Sequence, residues 1–515
     1  MDLDMELELK KTSLDVYETG GELTLTQEET AETIVPDYCP DIARIIETEG
    51  KVFLHSRELR SGKAELSGTV RLCVLYTPEG EGGIRALEFA LPFSVESDSR
   101  VFQGCQYLAA EVEIDTLETR MLNPRKVFTH CRLCVSLTGY RRTAMQLCRE
   151  VEFEPSLCVE KQHTPQHAVF LTHISEKDFT FTEEISLSSG REGAAELLSS
   201  RVRSTVTETK VVGSKLIFKG VFAVSVLYRN QQGQCCSTSA ELPFSQIMEV
   251  EGVSENVSAD LRLQLTGMDL QIGDDPEGRQ IDVSLYFHAT ALMRQEQELT
   301  LLSDLYSTAY DLTYEAAPVE FTNFRETMNR RQTVRELLEI GVVADSILSA
   351  HAVCGGILVS RDGALVTLRT GVSICVLYLD EGGVPLVAQR RLDINCQLEL
   401  PESCRVTGHA VCGEEIQASL GDRGIEVRFP VDFQLEAVGR TQKACITAVQ
   451  LDRDTPKNTA GTPSLVLRCL GKQESAWDLA KGYNTTIADI LAANQLDREE
   501  DIPSDRLLLI PRKRT

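Results

Sequence analysis

Apolar side chains fall on alternate positions in three stretches of the chain that end in the same tripeptide, Val-Leu-Tyr. Read back from the tyrosine, the bulky positions are Val70, Leu72, Val74 and Tyr76, then Phe222, Val224, Val226 and Tyr228, then Val372, Ile374, Val376 and Tyr378. The positions between them are smaller or partly polar: Arg71, Cys73 and Leu75, then Ala223, Ser225 and Leu227, then Ser373, Cys375 and Leu377. A period of two predicts a β-strand with one strongly apolar face. Each run opens near a glycine (Gly68, Gly220 or Gly371) and is followed by a polar loop containing glycine, so each strand is predicted to enter a hairpin. The three tyrosines are expected in the core or on a sheet face rather than in chemistry.

The tripeptides lie 152 and 150 residues apart, which makes them markers of an internal repeat. Leu91-Pro92-Phe93-Ser94 recurs as Leu242-Pro243-Phe244-Ser245, where the proline predicts the end or the edge of a strand. A second alternating run follows in each copy, at 127–137, 281–291 and 425–437. Upstream, the segments 41–47, 193–206 and 333–347 suggest a helix, the last carrying Leu337, Leu338, Ile340 and Val343 at helical spacing. The expected fold is mainly β: three tandem β-rich units, each a sandwich or partly open barrel with short helices, at residues 1–165, 166–318 and 319–452. The boundaries are drawn where Pro165 and Pro318 interrupt the pattern.

Residues 453–463 are polar and without hydrophobic periodicity, and predict a linker. A small domain is expected at 464–511. Ser464–Leu470 reads as a strand; Ser475-Ala476-Trp477-Asp478 has the capping-box pattern that opens a helix; Thr486 to Asp489 repeats the device; and Leu507–Ile510, between Pro503 and Pro511, reads as a closing strand. The order is strand, helix, helix, strand. Trp477 is the only tryptophan in the chain, and it serves either as an exposed anchor for a partner or as filling for this small core.

Composition narrows the function. With 52 Lys and Arg against 78 Asp and Glu, the formal charge is −26, which disfavours nucleic acid and anionic membrane as partners. No apolar run approaches the roughly 20 residues that span a bilayer, and the N-terminus has no basic or apolar leader, so a cytoplasmic protein without a signal peptide or transmembrane segment is expected. The 16 cysteines are scattered through strand-like segments and are expected as free thiols in a reducing compartment.

Patterns that carry catalysis are missing. The sequence contains no G-x-x-x-x-G-K-[ST], G-x-S-x-G or H-E-x-x-H. Cys131 and Cys134 have C-x-x-C spacing within an alternating run, which would turn the thiols to opposite faces, and His163 and His167 flank Pro165 and are taken as linker residues. No catalytic residue, metal ligand or cofactor is predicted, and the chain is expected not to be an enzyme.

Trp477-Asp478-Leu479-Ala480, Tyr483-Asn484 and Ile490 to Asn494, with the ending from Pro503 to Pro511, resemble the LysM family over residues 464–511. The family's Gly-Asp-Thr turn is replaced here by Gln473-Glu474-Ser475, and an aromatic usual in the first strand is missing. Both departures argue against binding of N-acetylglucosamine polymers. Three Val-Leu-Tyr repeats followed by such a module resemble the SPOCS-type spore-coat proteins of Clostridia. That resemblance implies a non-enzymatic scaffold in the mother-cell cytoplasm at the forespore surface, whose LysM domain binds the coat-basement morphogenetic ATPase and, with other coat proteins, anchors coat layers. The expected partner-binding residues are Leu465, Ser475, Ala476, Trp477, Tyr483 and Asn494; the alternative is a peptidoglycan-binding protein acting through the same module.

Overall fold

Each Val-Leu-Tyr run is the middle strand of a three-stranded antiparallel sheet, and its bulky face is buried without exception. A computed structural model describes residues 8–80, 82–97, 100–188, 190, 192–253, 256–413, 416–421, 423–457, 463–471, 474–502 and 506–512. In the first unit the strands are β1 (Glu8–Ile34), β2 (Ile42–Arg60), β3 (Lys63–Pro78), β4 (Arg85–Glu96), β5 (Tyr107–Asn123) and β6 (Lys126–Glu152). The second repeats the order as β7 (Val159–Ser186), β8 (Ala194–Val212), β9 (Lys215–Asn230), β10 (Cys235–Glu249), β11 (Val257–Ile272) and β12 (Gln280–Ser307). The third has β13 (Tyr310–Glu339), β14 (Ala344–Asp362), β15 (Leu365–Asp380), β16 (Pro385–Glu399), β17 (Cys404–Cys412), β18 (Gln417–Gly421) and β19 (Gly424–Pro456). The C-terminal module is β20 (Leu465–Arg468), α1 (Ala476–Tyr483), α2 (Ile487–Asn494) and β21 (Leu508–Pro511).

Every unit is a sandwich, and no barrel forms among the described residues. The small sheets β2-β3-β4, β8-β9-β10 and β14-β15-β16 cover antiparallel pairs of much longer strands, β1 with β6, β7 with β12 and β13 with β19. In the second unit Phe222, Val224, Val226 and Tyr228 pack onto Ile281, Val283, Leu285, Phe287 and Ala289. Phe222 lies stacked between Phe244 and Phe287, at centroid distances of 4.2 and 4.6 Å. The Leu-Pro-Phe-Ser segments run inside the edge strands β4 and β10 rather than ending them. There Phe93 and Phe244 sit opposite Gly68 and Gly220. A Cβ on either glycine would collide with the facing ring, so the glycine and the phenylalanine are required together.

The long strands carry a second job. A register shift breaks each pair at the same place, at Thr19/Gly21, Met293/Arg294 and Thr322/Phe324. Such bulges bend a ladder. On one side of the bulge each pair lies under its own small sheet; on the other, the three pairs run on as ribbons that pack against one another. Val16, Met145 and Leu147, Ala168, Phe170, Leu299 and Leu301, and Phe321 and Cys445 bring all three units into one cluster.

The small sheets also meet one another. Their second faces contribute Leu75, Leu227 and Leu377 from the tripeptides and Ile46, Leu198 and Leu348 from the neighbouring strands, one of each per unit, to a shared core. The three units are therefore arranged about a pseudo-threefold axis within one chain. Ion pairs reinforce the seams: Arg57 with Glu176, Arg325 with Asp260, and Arg405 with Glu22.

Three expectations are corrected. None of the segments expected as helix is helical: 41–47 and 193–206 are strand from Ile42 and Ala194 onward, and 333–347 is the end of β13, a turn at 340–343 and the start of β14. Two bulges three residues apart, at Ile42/Arg44 and Ile45/Glu47 and at the matching positions of β8 and β14, place Ile42, Ile45 and Ile46 at the i, i+3, i+4 spacing of a helix. In β13, Val334 and Leu338 are buried on one face with Glu336 between them, held by Arg390 at 2.8 Å, and that carboxylate masks the period of two. The boundaries expected at 165/166 and 318/319 fall inside β7 and β13, while the chain passes between units at 153–158 and 308–309. Pro165 and Pro318 each lie on a stretch of strand with one ladder partner, the edge position where strands admit proline. His163 and His167 lie on β7, about 13 Å apart for a strand spacing of four residues, and do not converge. Cys131 is buried and Cys134 half-buried on opposite faces of β6, and all 16 cysteines are free thiols.

Truncating Phe222 to alanine removes the middle ring of the stack and is expected to cost about 3–5 kcal/mol. Urea unfolding followed by far-UV circular dichroism measures it; an unchanged midpoint would contradict the packing described.

Candidate interaction site of the C-terminal module

The module is built by its caps. Ser475 Oγ accepts from the Asp478 amide at 3.1 Å while the Asp478 carboxylate accepts from the Ser475 amide at 2.9 Å, closing the box that starts α1. Thr486 Oγ1 accepts from the Asp489 amide at 3.0 Å and starts α2. Asn484 and Gln495 end the helices in the left-handed conformation. Leu479, Ala480 and Ile490 then pack on Leu508 and Ile510 of the two-stranded sheet. Gln473, Pro503 and linker residues 458–462 lie outside the described residues.

The second unit adds to this small core. Tyr306, near the end of β12, meets Trp477 edge to face at 4.9 Å and donates its hydroxyl to the Thr485 carbonyl at 2.7 Å. Trp477 Nε1 donates to Asp304 at 2.8 Å, and Lys481 Nζ reaches both oxygens of the same carboxylate at 2.7 and 2.8 Å. Lys457, just beyond β19, bridges the Ser307 carbonyl and the Asn484 side chain, each at 2.8 Å. The module is thereby seated on the ribbon end of the second unit.

Of the two roles left open for Trp477, the structure shows the buried one: Trp477 is 5 % exposed and belongs to both the module core and the seat. Nothing in the local sequence signals this, because its cover comes from Asp304 and Tyr306, far upstream. Ala476 is buried as well, and Ser475 is occupied by its cap. Asn494 donates to the Ile490 and Leu509 carbonyls and accepts from the Leu509 amide, tying α2 to β21. Tyr483 is half-buried, with Arg468 and Arg512 over its ring.

Leu465 is the apolar member of the expected set that faces solvent, at 50 % exposure. Leu467 and Leu507 join it, at 59 and 63 %. In register, Leu465 lies beside Pro511 and Leu467 beside Leu509, so the outer face of the small sheet is apolar. Clusters of this kind mark contact surfaces. Leu465 and Leu467 share one face of β20 and Val466 turns to the core, but three apolar residues in a row do not say which face is exposed.

Residues 41–122 and 193–273 match the family model described as SipL, SPOCS domain. The matched segments run from β2 to β5 and from β8 to β11, the small sheet plus the strand after it in the first two of three equivalent units. No curated protein and no solved structure matches the chain. No helix among the described residues is long and apolar enough to cross a membrane.

Docking of the module should depend on pH through Asp304. Burial pushes its carboxyl up, but the hydrogen bonds from Lys481, Trp477 and Tyr314 outweigh this and hold it below the usual carboxylate range. A lowered folded value means that the contribution is present above the ordinary value of about 4 and is lost as pH falls through the folded value. Asp304→Asn removes it at every pH. Emission from the sole tryptophan reads the change: a red shift and greater quenching by acrylamide are expected in Asp304→Asn at pH 7, and an unaltered spectrum would contradict the seat.

Proposed function

The chain is a SipL-like protein carrying SPOCS domains, and on that premise we propose that it is a non-catalytic scaffold of spore-coat assembly whose C-terminal module captures the coat-basement morphogenetic ATPase. The family places the chain in a sporulation and coat-related role; the partner, the anchoring of coat layers at the forespore surface and the mother-cell location are our reading. The module, a LysM-type domain on this view, presents Leu465, Leu467 and Leu507 outward while its tryptophan faces the repeats. That exposed sheet face is the observation that carries the proposal, since an apolar surface of this kind on a strongly acidic protein is costly unless a partner covers it.

The repeats supply a rigid base. Three units closed about one axis hold the module at the end of a ribbon, so partners bound to the units and to the module keep a fixed separation. A fixed separation raises effective concentration when several copies gather on one surface.

The test uses the full chain and the purified ATPase. Leu465→Asp with Leu467→Asp leaves the module core and the Asp304 seat intact and is expected to weaken binding by at least ~30-fold, the loss of a central hot spot of about 2 kcal/mol. Calorimetric titration measures it. Equal affinity of wild type and variant would sink the assignment of the surface, and retention on purified peptidoglycan without ATPase binding would replace the scaffold reading by glycan binding.

A further inference from the structure

The layer of side chains where the small sheets meet should be cheapest if wholly apolar, yet it holds a polar cluster. Corresponding positions of the three units carry Glu47, Ser199 and Ser349, and two residues further Glu49, Arg201 and His351. On the partner strands the matching positions are Cys73, Ser225 and Cys375. Three identical copies would place identical groups around the axis. Here the copies have diverged into a carboxylate, an imidazole and a thiol on one side.

Glu47 is 6 % exposed. It follows the second bulge of β2, a feature that re-aims side chains. His351 Nε2 approaches Glu47 Oε1 at 2.9 Å, while Glu47 Oε2 and His351 Nδ1 are buried without a hydrogen bond. Arg201 is committed to Glu49 and stands 3.7 Å from Glu47. A buried carboxylate oxygen left in this state costs about 1–3 kcal/mol or more, which calls for a reason. One donor atom each from Glu47, His351 and Cys375 lies within 4.8 Å of the other two. A tetrahedral ion with bonds of about 2.0–2.3 Å holds its donors roughly 3–4 Å apart, so small side-chain rotations close the set. A groove of about 640 Å³, lined by Glu47, Thr48, His130 and Gln389, reaches the cluster from solvent and offers a path for the ion and for a water as fourth ligand.

We propose that Glu47, His351 and Cys375 form a zinc-type divalent metal site that clamps the first unit to the third. Oxygen, nitrogen and sulfur donors together select a borderline-soft ion over magnesium or calcium. On binding, the S–H bond of Cys375 breaks, its electron pair passes to the ion and the proton leaves to solvent. The bound ion and Arg201 then balance the charges of Glu47, Glu49 and the thiolate. No metal-binding spacing is visible along the chain because Glu47 lies more than 300 residues from His351 and Cys375.

The test takes the reduced, chelator-treated full chain and titrates it with Co²⁺, then Zn²⁺. One equivalent of Co²⁺ with a thiolate-to-metal absorption band is expected, displaced by Zn²⁺, together with a rise in Tm on Zn²⁺ addition. Cys375→Ser should abolish the band, and Glu47→Gln and His351→Gln should weaken Zn²⁺ binding by at least ~10-fold, with circular dichroism confirming that each stays folded. Cys354→Ser, which removes one of two thiols facing each other at 2.9 Å elsewhere in the third unit, should leave the band intact. Absence of the band from the wild type, or its persistence in Cys375→Ser, overturns the proposal.

Discussion

A three-stranded sheet with two apolar faces cannot stand in water on either side, and that constraint organises the molecule. The bulky face of each Val-Leu-Tyr strand is covered within its own unit by the long strands. The other face, centred on Leu75, Leu227 or Leu377, has no cover there and finds it in the other two units. Burying each leucine contributes about 1.5–3 kcal/mol, so opening the layer would expose three such residues and their neighbours at once. Once the small sheets close on the axis, the long strands beneath them are brought side by side, and their far halves continue as the packed ribbons.

The same closure decides where polar chemistry can sit. It gathers Glu47, Arg201 and His351, one from each unit, at the centre of the molecule, and it brings ribbon ends together at the far end, where Asp304 and Tyr306 receive the C-terminal module. The module's helices follow from local caps, but its core is finished by a tyrosine from another unit. Its outward face is thus defined by elimination: the tryptophan side is taken, and the leucines of the small sheet remain.

Much of this was legible in the chain. Strands whose buried face alternates strictly, such as 127–137 and 425–437, are visible because both the period and the burial are local properties. The strand β2 was not, because paired bulges gave Ile42, Ile45 and Ile46 a helical rhythm, and tertiary pairing with β3 overrode it. Pro165 suggested a boundary because proline lacks the N–H a ladder uses, and the sequence does not say which edges are free. The burial of Trp477 and the assembly of Glu47 with His351 and Cys375 depend on contacts between distant segments, which no spacing along the chain encodes. The exposure of Leu465 could not be read from an all-apolar run, and the structural duty of Asn494 depended on the position of β21.

The central claim is that three units behave as one body because they share the leucine layer. Leu377→Asp buries a charge in that layer while leaving the third unit's own sandwich face intact, and burial of an unpaired carboxylate is among the most destabilising changes a core can suffer. Urea unfolding of wild type and variant, followed by far-UV circular dichroism for the sheets and by Trp477 emission for the seat on the second unit, tests it directly. The account predicts that the variant's two signals both shift to lower urea, although Trp477 reports on a contact distant from the substitution. A tryptophan transition unmoved by Leu377→Asp, with only part of the dichroism signal affected, would mean that the units fold independently and would contradict the account.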